Sequence, residues 1–71
     1  MNIKALVGSN LKRFRLQSGL TQAALAEVSR VSPRWIYQIE TGNGNPTLEM
    51  LDLLSKGLGV PIASFFQNPE I

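Results

Sequence analysis

The chain has 71 residues, a net charge of +2, no cysteine and no histidine, and 44% of its residues are hydrophobic. This length suits one domain, over residues 1–71, that buries only about 60% of the surface its unfolded chain would expose. The missing residue types exclude disulfides, the usual Cys/His metal sites, and imidazole or thiolate catalysis. We therefore expect a small, ordered, non-enzymatic domain with no metal, no cofactor and no membrane span.

The charge is unevenly distributed along the chain. Residues 1–34 hold six of the seven basic residues and one acidic residue, whereas residues 35–71 hold one basic and four acidic residues. A basic face that meets a polyanion and a second face that packs on another subunit would account for this asymmetry, although small domains also have lopsided charge by chance. No long apolar stretch precedes Lys12, so we expect no signal peptide and a cytoplasmic location.

Helical periodicity begins near the N-terminus. Apolar residues at positions 3, 7, 11 and 14 share one helical face and predict a first helix over about 3–18, ended by Gly19. Thr21 is a suitable N-cap for a second helix over about 21–28, because its hydroxyl can accept a hydrogen bond from a first-turn N–H. That helix is rich in alanine, which would let another helix approach it closely.

Three further helices are predicted after a short turn. Ser32 and Pro33 suit the N-cap and first position of a third helix over about 32–41, which the loop TGNGNP ends. Thr47 caps a fourth helix over about 47–57, with leucines 48, 51, 54 and 58 at core spacing, and a short fifth helix follows over about 61–67. The sequence therefore predicts an all-α fold of five helices.

Two short helices joined by a tight turn are the plan of a helix-turn-helix, whose second helix lies in the major groove of DNA. The string RxxxGLTQxxLA at 15–26, VS at 31–32 and IxxIExG at 36–42 resemble the lambda-repressor-like family of Cro/cI phage repressors and bacterial XRE-type regulators. The segment NPTLEMLDLLSKGLGV at 45–60 resembles the fourth helix of that family. The resemblance covers roughly residues 7–66, and the small chain is similar to restriction–modification controller proteins.

This resemblance implies a transcriptional regulator that binds double-stranded DNA in a sequence-specific way. It implies a homodimer on a pseudo-palindromic operator, with helix 3 in the major groove. Arginine suits guanine and glutamine suits adenine in that groove. The residues expected to contact bases are Arg34, Gln38, Trp35 and Tyr37. Trp35 has a second interpretation, in which it packs between helices 2 and 3.

Phosphate contacts are expected around the recognition helix. Gln22 begins the second helix, where free N–H groups and the helix dipole favour an anion. The loop over 41–46 is rich in glycine, so its backbone N–H groups could approach phosphates closely. The full expected set is Gln22, Thr21, Arg13, Thr41, Asn43 and Asn45. A solvated surface with no DNA contact is the alternative for each of them.

One ion pair and one turn residue are expected to have structural roles. The resemblance implies a partly buried salt bridge between Arg15 and Glu40, which would orient the recognition helix. Arg30 stands where the family usually has glycine or asparagine. A left-handed conformation there would cost about 1 kcal/mol, and a different turn or a phosphate contact are the alternatives.

The C-terminal segment predicts an interface. Ile62, Phe65 and Phe66 lie on a short helix that cannot bury all three, and the family forms dimers through this region. Burial of the phenylalanines in a monomer is the alternative. A second functional hypothesis is a protein-interaction module, such as the antitoxin of a toxin–antitoxin pair. A toxin or RNA polymerase would then be an additional partner.

Overall fold

The computed structural model describes residues 2–68, and every regular element in that range is helical. The all-α prediction is therefore confirmed, but the fifth α-helix is wrong, because the last element is a short 3-10 helix. The elements are α1 (Ile3–Gln17), α2 (Gln22–Ser29), α3 (Pro33–Glu40), α4 (Leu48–Leu58) and the 3-10 helix (Ile62–Phe66).

Local capping explains where the α-helices begin. The predicted N-caps Thr21, Ser32 and Thr47 each accept a hydrogen bond from the N–H three residues later, at 3.0–3.2 Å. Asn2 caps α1 in the same way, at 3.2 Å from the Ala5 nitrogen. Each cap satisfies one of the N–H groups that a helix start leaves without a partner. The residues around each cap therefore explain where each helix begins.

The last element forms a 3-10 helix because it is short and because another element holds it. It is only five residues long and begins after Pro61, so it is too short for a stable α-helical run. Its carbonyl groups are held from outside the segment, because the Asn10 side chain donates to the Phe65 and Gln67 oxygens, at 2.8 Å each. Asn10 is itself fully buried in α1.

The core draws on all five elements and has Phe65 at its centre. α1 packs on α3 and on the 3-10 helix, while α2 packs on α3 and α4. The fully or nearly fully buried apolar residues are Val7, Leu11, Leu25, Val31, Ile36, Ile39, Leu51, Leu54 and Phe65. Two residues predicted on apolar helical faces lie outside this core, since Ile3 is 50% and Leu48 74% exposed. Both stand at the first turn of a helix, beyond the region that the neighbouring elements cover.

The crossing of α1 and α3 is unusually close. A Cβ atom placed on Gly8 would overlap the carbonyl oxygen of Ile39 and would lie 3.2 Å from that of Glu40. The backbone of α1 therefore rests directly on the C-terminal turn of α3. This contact sets the distance between α1 and α3 and requires glycine at position 8.

Candidate nucleic-acid interface

The turn between α2 and α3 is formed by residues 30–32 and contains a left-handed residue. Arg30 has φ 67° and ψ 16°, and its N–H donates to the Ala26 oxygen at 2.9 Å, which ends α2. Arg30 is the one described non-glycine residue, among residues 2–68, with a positive φ. This conformation costs a non-glycine residue about 1 kcal/mol. The turn therefore contains the left-handed Arg30 and is not a turn of a different kind. A contact of Arg30 with phosphate stays a prediction.

The exposed face of α3 carries the residues expected to contact bases. Arg34, Tyr37 and Gln38 are three and four residues apart, so their side chains share one helical face. Arg34 and Tyr37 are exposed and Gln38 is half-buried, whereas Ile36 and Ile39 on the opposite face are buried. The structure therefore brings three of the four predicted residues onto one outward surface.

Trp35 differs from those three residues. It is half-buried and packs against the hydrophobic core. This is the packing interpretation that the sequence left open. Because the side chain is only partly buried, a contact with DNA stays a prediction.

The C-terminal end of α3 is held by a two-point ion pair. Arg15 Nε donates to Glu40 Oε2 at 2.6 Å, and Arg15 Nη2 donates to Glu40 Oε1 at 3.0 Å. The two side chains are only 10% and 3% exposed. The hydrogen bond to Glu40 raises the pKa of Arg15 above its ordinary value, although burial acts in the opposite direction. Arg15 Nη1 also donates to the Leu20 oxygen at 2.8 Å, which ties the loop before α2 to the same pair.

A third residue joins this pair, and the sequence reasoning missed it. Gln22 Nε2 donates to Glu40 Oε1 at 3.1 Å, although Gln22 was expected only to contact phosphate. Gln22 is half-buried and opens α2, next to the exposed Thr21. The structure therefore links the start of α2 to the end of α3 through one carboxylate.

The loop after α3 does not present the backbone donors that its glycines suggested. The N–H groups of Asn43 and Gly44 donate to the Gln38 oxygen at 3.0 and 2.8 Å, and that of Gly42 donates to the Ile39 oxygen at 3.0 Å. These groups satisfy the last carbonyls of α3, which a helix end leaves without partners. The prediction of free backbone N–H groups here is therefore wrong for residues 42–44.

The side chains of this loop are divided between two places. Thr41 Oγ1 donates to the Gln38 oxygen at 3.0 Å, and Asn43 Nδ2 donates to Thr41 Oγ1 at 3.3 Å, so both lie beside the end of α3. Asn45 instead lines a cleft with Phe66, on the side of the 3-10 helix. Of the three, Thr41 and Asn43 are the pair that the structure places next to the end of α3.

Arg13 lies away from the α2–α3 surface. It precedes Arg15 by two residues, which is roughly 200° around an α-helix. Its Nη2 donates to Asn10 Oδ1 at 2.9 Å, and its guanidinium lies 4.4 Å from the centre of the Phe14 ring. The structure does not bring Arg13 together with Gln22. Its hydrogen-bond partner Asn10 is the residue that also bonds the Phe65 and Gln67 oxygens.

The predicted interface residues of the C-terminal segment have different environments. Phe65 is fully buried, so its assignment to an interface is wrong, because the side chain fills the core between α1 and α4. Ile62 and Phe66 are 37% and 43% exposed. Phe66 borders a cleft of about 200 Å³, which we call the apolar cleft. The apolar cleft is lined by Ile3, Val7, Pro46, Leu48, Leu51 and Phe66.

Residues 2–68 show neither a metal-ligating cluster nor a membrane segment. No group of three or more Asp, Glu, His or Cys residues within that range could hold a metal ion. None of its helices combines the length and apolar character that a membrane crossing requires.

The family follows from comparison with known sequences. A family model described as helix-turn-helix matches residues 11–65, which is most of the chain. The chain belongs to the helix-turn-helix family. The predicted resemblance is thus confirmed, and the matched range contains α2, the turn and α3 in full.

Relatives of this helix-turn-helix protein are transcriptional regulators by name. It is 40% identical over 60 residues to the uncharacterised regulator y4dJ of Sinorhizobium fredii, covering 84% of this chain and 78% of the relative. It is 33% identical over 69 residues to SutR of Escherichia coli, covering 97% of this chain and 39% of SutR. The chain therefore spans about two fifths of the length of SutR.

Solved structures share the fold. The restriction–modification controller C.AhdI of Aeromonas hydrophila superposes with a TM-score of 0.86 at 25% identity, over 89% of this chain and 96% of the controller. Both chains therefore have nearly the same extent. The agreement places α3 of this protein in the position of the second helix of a helix-turn-helix, which the motif uses for recognition.

Proposed function

We propose that this protein is a transcriptional regulator that binds double-stranded DNA with sequence specificity, using α3 in the major groove. The observation that carries the proposal is the row formed by the exposed Arg34 and Tyr37 and the half-buried Gln38 on a helix whose opposite face is fixed in the core. A helix held in this way can present a constant set of donors and acceptors to base edges. The family and its named regulators support this function.

The proposed base contacts follow from the side chains. The guanidinium of Arg34 can bond both acceptors of a guanine, and the amide of Gln38 can bond adenine. Arg34 stands at the second position of α3 and takes part in neither of the two ion pairs described within residues 2–68. It is therefore free to meet a base. Tyr37 and the half-buried Trp35 would contact the adjoining base or sugar.

The proposed phosphate contacts surround α3. Thr21 and Gln22 lie at the N-terminus of α2, where the helix dipole favours an anion. The side chains of Thr41 and Asn43 lie at the opposite end of α3 and can bond a second phosphate. Arg13 and Asn45, which lie farther away, would act through charge or through contacts at the edge of the site. Binding should therefore weaken steeply with salt.

We also propose that the protein acts as a homodimer. Phe66 and Leu48 line the apolar cleft and are 43% and 74% exposed, and Ile62, in the same 3-10 helix as Phe66, is 37% exposed. Exposed apolar patches of this kind commonly mark interfaces. A two-fold dimer would set two α3 helices about 34 Å apart, one turn of DNA, and would match a pseudo-palindromic operator. The proposed surface leaves out Phe65, which is buried, and includes Leu48, which is exposed.

Selection of bound sites from random duplex DNA, followed by a salt titration, tests the proposed function. We expect an inverted repeat and a log–log salt slope of about 0.9 for each phosphate contacted. Recovery of no motif, with equal affinity for all duplexes, would contradict sequence-specific binding. Recovery of a single half-site would contradict the dimer alone.

The apolar cleft also supports a second candidate, a protein-interaction module such as an antitoxin. Sedimentation of the protein alone separates the two functions. A dimer that becomes a monomer on Leu48→Glu substitution supports the regulator, because the cleft is then closed by a second copy. A monomer in the unsubstituted protein, with the cleft exposed, supports a different partner such as a toxin.

A further inference from the structure

We infer that Glu40 is a positioning residue for Gln22, so that the last residue of the recognition helix sets the phosphate contact at the start of α2. The inference rests on the proposed function, because it concerns how that interface meets DNA. It extends the role expected for Glu40, which was limited to its ion pair with Arg15.

The carboxylate of Glu40 is fully used inside the protein. Oε2 accepts from Arg15 Nε at 2.6 Å, while Oε1 accepts from Arg15 Nη2 at 3.0 Å and from Gln22 Nε2 at 3.1 Å. The side chain is 3% exposed. A carboxylate in this position cannot touch DNA, and its charge would repel a phosphate. Glu40 can therefore favour DNA binding only through the two residues that it bonds, Arg15 and Gln22.

The bond to Glu40 orients the amide of Gln22. A carboxylate has no donor, so the amide nitrogen of Gln22 must face it. One amide N–H is then donated to Glu40, and the second N–H is left for another acceptor. Gln22 is the first residue of α2, whose N-cap Thr21 accepts from the Ala24 nitrogen. Because Gln22 stands in the first turn of α2, its second amide N–H is the group that would meet the phosphate of the proposed function.

This arrangement has a consequence for binding. A free glutamine side chain loses rotamer freedom when it is fixed by a ligand, and a side chain already fixed loses less. The bond to Glu40 holds Gln22 before DNA arrives. The residues that would contact phosphate on α2 and bases on α3 then belong to one rigid unit, joined by the Gln22–Glu40 hydrogen bond.

A double-mutant cycle tests this role. Affinities for the selected site are measured for the unsubstituted protein, Glu40→Gln, Gln22→Ala and the double variant, each checked for folding by circular dichroism. We expect Gln22→Ala to lower affinity about tenfold and to reduce the log–log salt slope by about one. Glu40→Gln should lower affinity about fivefold in the unsubstituted protein and have almost no effect in the Gln22→Ala background. An equal effect of Glu40→Gln in both backgrounds would overturn the positioning role.

Two controls isolate the coupling. Glu49→Gln removes the same charge from an exposed position in the first turn of α4, and it measures how charge alone changes affinity. A second measurement needs no substitution at Glu40. In the free protein, the side-chain amide of Gln22 should have an order parameter close to that of the backbone, whereas the exposed Gln17 should be mobile. A Gln22 amide as mobile as that of Gln17 would overturn the inference.

The outcomes separate this inference from the proposed function. Failure to recover any preferred DNA sequence contradicts the function itself. Specific binding with additive effects of the two substitutions contradicts only the positioning of Gln22 by Glu40.

Discussion

The two ends of α3 are held in opposite ways. At the N-terminal end, Ser32 accepts one hydrogen bond from the Trp35 nitrogen, the preceding turn contains the strained Arg30, and Arg34 is exposed. At the C-terminal end, the buried carboxylate of Glu40 is bonded by two residues, and the backbone of Gly8 lies against the last turn.

This difference separates the support of the helix from its recognition surface. The C-terminal end is fixed by contacts to α1, to the loop before α2 and to the loop after α3. At the N-terminal end Trp35 and Ile36 pack into the core, whereas Arg34 is exposed and its side chain is available to a ligand. Substitution of the buried Glu40 should therefore change stability, and substitution of the exposed Arg34 should change binding.

The strongest test of the comparison is Gly8→Ala. The added methyl would overlap the Ile39 carbonyl oxygen, so α3 would have to move. We expect a loss of about 3 kcal/mol or more in the free energy of unfolding, at the upper end of overpacking effects. Urea unfolding measures it, with the exposed neighbour substitution Ser9→Ala as the control. Equal stability of the two variants would mean that α1 does not fix α3.

The next largest effect is expected from Glu40→Ala. It leaves the guanidinium of Arg15 buried with only the Leu20 oxygen as a partner, which should cost about 3 kcal/mol of unfolding free energy. DNA affinity should fall mainly because less protein is folded or because α3 shifts. A folded variant with unchanged affinity would contradict the orienting role of this ion pair.

Arg34→Ala tests the opposite end of the helix. We expect specific DNA affinity to fall by about 2 kcal/mol, with relaxed preference at one base pair and unchanged unfolding free energy. Lys56→Ala is the matched control, because Lys56 is an exposed cation on α4 that forms an ion pair with Asp52. If both variants lose the same affinity, Arg34 contributes charge and reads no base.

The smallest effect is expected from Arg30→Gly. Glycine adopts the left-handed conformation without strain, so the protein should be stabilised by about 1 kcal/mol. Gly59→Ala makes the opposite change at a comparable position, because Gly59 ends α4 with φ 70° and has open space around it. That variant should lose a similar amount in urea unfolding. A lower salt slope for DNA binding by Arg30→Gly would show that Arg30 contacts phosphate, whereas an unchanged slope would exclude that contact.

Local features of this fold were predictable from the sequence. The N-caps Thr21, Ser32 and Thr47 are each decided by a few neighbouring residues. Periodicity also identified the face of α1 that carries the buried Val7 and Leu11. Periodicity cannot say whether another element covers a given turn, and for that reason Leu48 was expected in the core and Phe65 in an interface.

The contacts of the site were harder to predict, because they join distant residues. Gln22 and Glu40 are separated by 18 positions, and no spacing rule connects them. The loop amides were misjudged for a related reason. Glycine in a loop indicates freedom of the backbone, but only the position of the α3 carbonyls shows that residues 42–44 donate to them.

The buried amide of Asn10 has a consequence for the limits of the folding unit. It bonds the carbonyl oxygens of Phe65 and Gln67, and Phe65 fills the centre of the core. A chain shortened to residue 64 would therefore have both an empty cavity and a buried amide without acceptors. The shortest version of this domain that folds independently must extend at least to Gln67, and any tag or fusion should be attached beyond it.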